Sequence, residues 1–394
     1  MPTLDATLSH FHNPNALPGE DYPAALRDIA SLDKATGAFD DISHWPGYQP
    51  SPLQRLDQLA AQIGVADIYY KDESQRFGLK SFKALGGAYA VARQLQERIR
   101  QENGADASIG DLLTGRYRAV VQDIVISCAT DGNHGRSVAW GCEMFGCGCI
   151  IYIHRDVSEG RKQAMQAFGA EVIRVNANYD ASVKQADSEA LAHGRIIVSD
   201  TSYPGYVDIP RDVALGYTVM LAEAVEQMDG SIPTHVFIQA GVGGLAAAVC
   251  AYFWELWGAQ RPRFIVVEPE QANCLQQSAA EGEPVAVEGD LETLMAGLSC
   301  GEVSLLAWDI LKPGADDFLT LSEDAVASCM QMLARGEPAI EAGESAVAGL
   351  GAAIVAREDA DMSAKLGLDA SSRIFVIGTE GATDPELYHQ LVSQ

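Results

Sequence analysis

The sequence predicts an α/β protein of two domains built on parallel sheets, on three observations. Short apolar runs such as IYYKD, CIIYI, HVFIQ and FIVVE alternate with helix-period stretches over most of the chain, the pattern of buried parallel strands covered on both faces. Several runs end in glycine-rich polar loops that open the next helix, among them ATDGNHG and GVGGL. The 394 residues exceed one domain of roughly 150 residues.

In chain order, residues 1–50 are rich in Pro, Asp and Gly and are expected to wrap the surface without forming a domain. IYYKD (68–72) reads as a strand and 82–102 as a helix, while 103–118 reads as an insertion. VQDIVIS (121–127) is a strand and HGRSVAWGCEMFG a helix, followed by strand CIIYIH at 149–154. SEGRKQAMQAFG is a helix with Ser158 as N-cap, then come strand EVIRV, helix YDASVKQADSEALAHG and strand RIIVSD at 195–200. A long helix near 211–228 leads to strand HVFIQ (235–239), a helix from about 244, strand FIVVE (264–268) and strand RIFVIG (373–378).

Composition excludes several classes. The 47 % hydrophobic and 21 % charged residues are those of an ordinary globular protein. Lys+Arg of 27 against Asp+Glu of 54 leaves a net charge of −27, which repels nucleic acid and anionic lipid, so neither is expected as a partner. No apolar run approaches the ~18 residues of a membrane helix. The N-terminus lacks a basic start followed by an apolar run, so no secretory signal is expected and the chain is placed in the cytoplasm. The eight cysteines include no CxxC pair, and HExxH is absent, so no metal site is expected. A Cys274–Cys300 bridge stays open.

Three clusters carry chemistry. Lys83 lies in Ser81-Phe82-Lys83-Ala84-Leu85-Gly86-Gly87, at the first turn of an apolar helix. Most helix-face lysines are merely solvated, but apolar neighbours and a helix N-terminus both disfavour the cation, the condition for a Schiff-base lysine. Gly241-Val242-Gly243-Gly244-Leu245 joins a strand to a helix and suits a phosphate. It also matches GxGxxA, and Glu268 ends the next strand, so a nicotinamide dinucleotide site is a rival reading. Ser127–Gly135, containing Thr130, Asp131, Gly132, Asn133 and His134, runs from strand into helix with hydroxyls, an amide and backbone N–H groups suited to a carboxylate and a phenolic oxygen. Gly378-Thr379-Glu380-Gly381 follows the last strand, where open α/β sheets bind ligands. A dinucleotide fold leaves Lys83 and the Asn133 loop without a role.

SFKALGG resembles the S-F-K-x-R-G lysine signature of the fold-type II (tryptophan-synthase β-like) pyridoxal-phosphate enzymes. ATDGNHG resembles their substrate loop and GVGGL their phosphate loop. More narrowly, KDESQRFGLKSFKALGGAYA, ATDGNHGRSVAW, MAGLSCGEVS and GTEGATDPELY together resemble the diaminopropionate ammonia-lyases, from about residue 40 to the C-terminus. The resemblance implies two parallel-sheet domains with pyridoxal 5'-phosphate in the cleft between them. The large domain would be 1–76 with 182–394, the small one 77–181. It implies Lys83 as the Schiff-base lysine and Gly241, Val242, Gly243, Gly244 and Leu245 around the phosphate. Asn133 would meet the phenolic oxygen and Thr379 the pyridine nitrogen, with Thr130, Asp131, Gly132, His134 and Asp200 around the substrate. A homodimer is also implied.

Asp131 stands where threonine dehydratases carry a small residue. It can cap the helix, or meet a second amino group or take a proton. An ion pair at ~4 Å is worth about 4 kcal/mol at an effective dielectric near 20 before desolvation, enough to prefer an ammonium over a hydroxyl. Asp200 matches a second acidic position of the family and has the same expected role; its plain alternative is a turn cap. The implied reaction is α,β-elimination of D- and L-2,3-diaminopropionate to pyruvate and two ammonia, with Lys83 as base on one face and Asp131 on the other. The alternatives are a serine or threonine dehydratase on the same fold, or an NAD-dependent oxidoreductase.

Overall fold

The computed structural model describes residues 4–130, 132–289 and 291–393. The chain divides into two compact units. One comprises residues up to Asp33, Pro50–Arg76 and the chain from Met220 on; the other comprises Lys34–Gln49 and Phe77–Val219. Among the described residues the strands are β1 Leu8–His12, β2 Leu53–Arg55, β3 Asp67–Asp72, β4 Val125–Ala129, β5 Gly148–Ile153, β6 Glu171–Arg174, β7 Ile196–Ile197, β8 His235–Gln239, β9 Arg263–Pro269, β10 Asp317–Leu321 and β11 Arg373–Gly378.

The first unit holds a seven-stranded sheet in the order β1-β10-β9-β8-β11-β3-β2. The five central strands are parallel, and β1 and β2 close the edges antiparallel. β8 and β10 are wholly buried, β9 and β11 all but their first residue, which is why β8, β9 and β11 read as apolar runs, whereas β10, DFLTL, is interrupted by Asp and Thr and does not read as one. Because β8 and β11 are parallel neighbours, the loop after Gln239 and the loop after Gly378 leave the same edge of the sheet. On β3 and the turn after it lies a buried ionic cluster. Lys71 Nζ meets Glu223 Oε2 at 2.8 Å and the Ser51 carbonyl at 2.6 Å, while Arg76 reaches Glu73 at 2.7 Å and Glu223 at 2.6 Å. Two cations and two carboxylates balance one another there, and Arg76 anchors the segment that leads toward Lys83.

The second unit holds a parallel sheet ordered β6-β5-β4-β7. Since β4 and β7 are parallel neighbours, Thr130 and Asp200 leave the same edge. Helix Lys83–Asn103 packs against helix Asn133–Phe145, where Ser137 Oγ accepts from Ala88 N at 3.0 Å and donates to the Ala84 carbonyl at 3.2 Å. It also meets helix Asp208–Gln227 without a gap. A Cβ on Gly86 would lie 2.6 Å from the Val213 carbonyl, and one on Gly216 2.7 Å from the Leu85 carbonyl.

Several expectations need correction. The second unit ends at Val219, not 181, because β7 pairs with β4 and helix Tyr179–His193 packs on β4 and β5. Residues 34–49 also belong to it, since the Trp45 ring sits 5.7 Å from Trp140, 5.9 Å from Phe77 and 6.1 Å from Phe145. Residues 1–50 do more than wrap the surface, for β1 is an edge strand and Leu32–Ser43 a helix. The expected strand 121–127 begins at Val125, after a helical turn Arg118–Val121, and only Ile196–Ile197 of RIIVSD is strand. Cys274 and Cys300 are not joined by a disulfide.

Candidate active site

In the second unit, Lys83 opens its helix with Nζ directed to Asp200 Oδ2, a close ion pair. Nζ also lies 5.5 Å from the Phe82 ring centroid and 6.0 Å from that of Tyr217. The two side chains are only 23 % and 22 % exposed, so solvent screens them weakly. Burial would push the Asp200 carboxyl up, but the Lys83 ammonium outweighs burial and holds it well below the usual carboxylate range.

His134 lies beside this pair. Its Nε2 is 2.9 Å from the Val198 carbonyl, and its Nδ1 is 3.9 Å from Asp200 Oδ2. Burial pushes the imidazole below its ordinary value, which favours the neutral ring. Thr130 Oγ1 accepts from Gly132 N and Gly135 N, each at 3.3 Å, so its hydroxyl knits the loop to the start of helix Asn133–Phe145. Asn133 is the first residue of that helix. Asp131 lies outside the described residues. The structure therefore brings Lys83, Asp200 and His134 together beside the Thr130–Asn133 loop.

In the first unit, the glycine loop turns its carbonyls inward. Val242 O accepts from Ser304 N at 2.9 Å, Gly243 O from Ala247 N at 2.8 Å, and Gly241 O faces Cys274 Sγ at 3.7 Å. In a trans peptide the next N–H points the opposite way, so the N–H groups of Val242, Gly243 and Gly244 point away from those partners. Gly243, at φ +98°, makes the turn into helix Gly244–Trp257. That helix carries no acidic residue in its first turn, so the loop and Leu245 present an anion-binding helix start. At the end of β11, Thr379 Oγ1 accepts from Gln239 Nε2 at 3.0 Å. Gln239 also donates to the Ile377 carbonyl at 2.8 Å, which fixes its amide nitrogen on that side. With its oxygen accepting, the Thr379 hydroxyl keeps its hydrogen for an acceptor elsewhere.

Taken unit by unit, these features suit groups of pyridoxal phosphate: in the second unit an amine for an aldehyde at Lys83, and in the first backbone donors for a phosphate at Gly241–Leu245 and a neutral donor for a ring nitrogen at Thr379. They fit a dinucleotide poorly. Glu268, the acid that rival needs, is fully buried and accepts from Leu275 N and Gln276 N, both at 2.8 Å, and burial pushes its carboxyl up to about 8. Sequence reasoning missed Gln239, whose only signal was a polar residue ending an apolar strand. It also missed the buried cluster around Glu223, whose members are scattered along the chain. A crevice of about 370 Å³ between the 112–121 segment and Glu143–Gly146 contains none of these residues.

Comparison with known proteins follows the same line. The family model for pyridoxal-phosphate dependent enzymes matches residues 44–379. Diaminopropionate ammonia-lyase of Salmonella typhimurium is 37 % identical over 359 residues, covering 88 % of this chain and 89 % of that protein. The Escherichia coli enzyme of the same name is 39 % identical over 355 residues, 88 % of each chain. A crystal structure of Escherichia coli diaminopropionate ammonia lyase in complex with D-serine superposes with a TM-score of 0.89 at 36 % identity, covering 99 % of this chain and 97 % of that one.

Proposed function

The chain belongs to the diaminopropionate ammonia-lyase family of pyridoxal-phosphate-dependent enzymes, and we propose that its residues divide the elimination of ammonia from 2,3-diaminopropionate as follows. Lys83 holds the aldehyde carbon of the cofactor. Gly241, Val242, Gly243, Gly244 and Leu245 hold its phosphate, Asn133 its phenolic oxygen and Thr379 its ring nitrogen. Bound there, the cofactor supplies a carbonyl that captures amines and an electron sink for the pair left when a Cα proton departs. Thr379 is neutral and donates, so the ring nitrogen is not held protonated by a carboxylate. A neutral hydroxyl at that position would leave the ring a weaker electron sink, which would suit β-elimination over transamination.

Lys83, once the substrate's α-amino group has displaced it, is an amine placed to take the Cα proton. Asp131 serves the opposite face, which would let both enantiomers react. The Thr130–His134 loop and Asp200 bind the substrate, and Asp200 meets its second amino group. The products are pyruvate and two ammonia, with one water consumed. The observation that carries these assignments is the Lys83–Asp200 ion pair beside the Asn133 loop, because it gathers an amine, a carboxylate and a helix start at one sheet edge.

The test is pyruvate release from D- and L-2,3-diaminopropionate, with serine and threonine alongside, while the visible spectrum is recorded. Turnover of diaminopropionate well above serine is expected, with a cofactor absorbance that disappears in Lys83→Ala. Preference for serine or threonine would return the chain to the dehydratases. We also infer a homodimer, which rests on the family resemblance. Light scattering should give about twice the chain mass of 42.1 kDa, and a monomer mass would overturn it.

A further inference from the structure

We propose that His134 Nδ1 and the Asp200 carboxylate form one acceptor pair for the side-chain ammonium of the substrate, and that this pair selects an amine over a hydroxyl at Cβ. The inference rests on the functional reading above and adds His134 as a specificity residue.

The tautomer follows from the contact at the far side of the ring. A carbonyl only accepts, so Nε2, 2.9 Å from Val198 O, carries the hydrogen. In the neutral ring Nδ1 is then a lone pair. Burial lowers the imidazole pKa and supports that neutral form. The residue is only 7 % exposed, and among the described residues Nδ1 has no hydrogen-bond partner. A buried acceptor without a donor is costly, and a bound donor would satisfy it.

The neighbour names the donor. Asp200 Oδ2, 3.9 Å from Nδ1, already binds a primary alkylammonium, the side chain of Lys83. When Lys83 is engaged by the cofactor, that ammonium no longer serves Asp200, and a half-buried carboxylate and a lone pair both face the site. A side-chain ammonium brings three N–H donors and one positive charge, enough for both acceptors. A hydroxyl brings one donor and no charge, so it leaves one of the two acceptors unmet. Two acceptors also keep the nitrogen protonated until it leaves. The Cα proton goes to the base and its electron pair forms the Cα–Cβ double bond. The Cβ–N bond breaks with its pair on nitrogen, so an ammonium departs as neutral ammonia.

The experiment uses cofactor-loaded wild type, His134→Gln and His134→Asn. Gln can keep the bond to Val198 but puts no acceptor at Nδ1; Asn restores an oxygen acceptor there. KM and kcat are measured for diaminopropionate, and D-serine binding is read from the cofactor absorbance. For H134Q the diaminopropionate KM should rise about tenfold or more, with a smaller change in kcat and a much smaller loss of D-serine binding. H134N should recover at least half of the loss. Independently, ¹⁵N spectra of the wild-type cofactor-free protein should show His134 protonated on Nε2 and bare on Nδ1. Equal losses on diaminopropionate and D-serine, H134N no better than H134Q, or a protonated Nδ1 would each overturn the proposal. A wild type that does not turn over diaminopropionate would instead remove the functional reading itself.

Discussion

A carboxylate shielded from most of the solvent needs a cation, and for Asp200 that cation is Lys83. The same need carries over to catalysis, where the substrate's second ammonium is the natural replacement. An ion pair at ~4 Å is worth about 4 kcal/mol at an effective dielectric near 20, and desolvation takes back part of it. Asp200→Asn should therefore keep the cofactor absorbance and lose about 100-fold in kcat/KM for diaminopropionate, with a much smaller loss for serine. Equal loss on both would make Asp200 a general structural support. Single residues were unevenly legible in the sequence. Lys83 and Gly241–Leu245 stand out because each combines an unusual local composition with a helix start. Asp200 is an ordinary turn aspartate until a parallel pairing of β7 with β4 brings it off the edge that also carries Thr130. The lone pair of His134 depends on a carbonyl 64 residues away, which no local pattern records.

Elements place these residues, and two of them can be tested. The helix that begins at Lys83 crosses helix Asp208–Gln227 at backbone contact, with a Gly86 Cβ 2.4 Å from Tyr217 Cε1. Gly86→Ala should cost about 1–3 kcal/mol of stability by overpacking, measured by urea unfolding. It should also weaken cofactor capture, since relief of the clash moves the first turn of the helix. Loss of neither would show that the two helices part freely. The edge strand β1 is tied down differently. Asp317 on β10 is fully buried and meets His10 at 2.9 Å, His12 at 3.1 Å and Arg263 at 2.6 Å. Burial would raise its carboxyl, but the histidine and arginine contacts hold it down to about 2. A carboxyl depressed in the fold adds stability that is complete above its unfolded pKa near 4 and lost as pH falls below it. Asp317→Asn should then be about 2 kcal/mol less stable at neutral pH, with the gap closing between about pH 4 and 2; a gap constant with pH would remove the linkage. Strands were legible where covered faces coincide with an apolar run, as in HVFIQ, FIVVE and RIFVIG, but not in the equally buried DFLTL of β10. β1, LSHFH, was not, because an edge strand held by histidines and an aspartate carries no apolar run. Residues 121–124 misled because Val and Ile serve a helical turn as well as a strand.

At the scale of the whole molecule the charge is not shared evenly. Divided along the two units, the first carries 11 basic and 36 acidic residues, a net −25, and the second 16 and 18, a net −2. The acidity visible in the composition is thus almost entirely a property of the seven-stranded unit, and only the division of the chain reveals it. The nearly neutral unit is the one that holds Lys83 and Asp200, so their pairing is set by contacts within that unit and not by its net charge. Like charges at this density oppose compactness, and the opposition falls as salt shortens the Debye length from ~30 Å at 0.01 M to ~3 Å at 1 M. Added sodium chloride should therefore stabilise the first unit well beyond the second. Peptide-resolved hydrogen exchange can read this directly: protection of β8, β9 and β11 should rise with salt while that of β4 and β5 changes little. Equal gains in both units would mean that salt acts through apolar burial, which the two units share, and that the acidic surface of the first is spread too thinly to strain it.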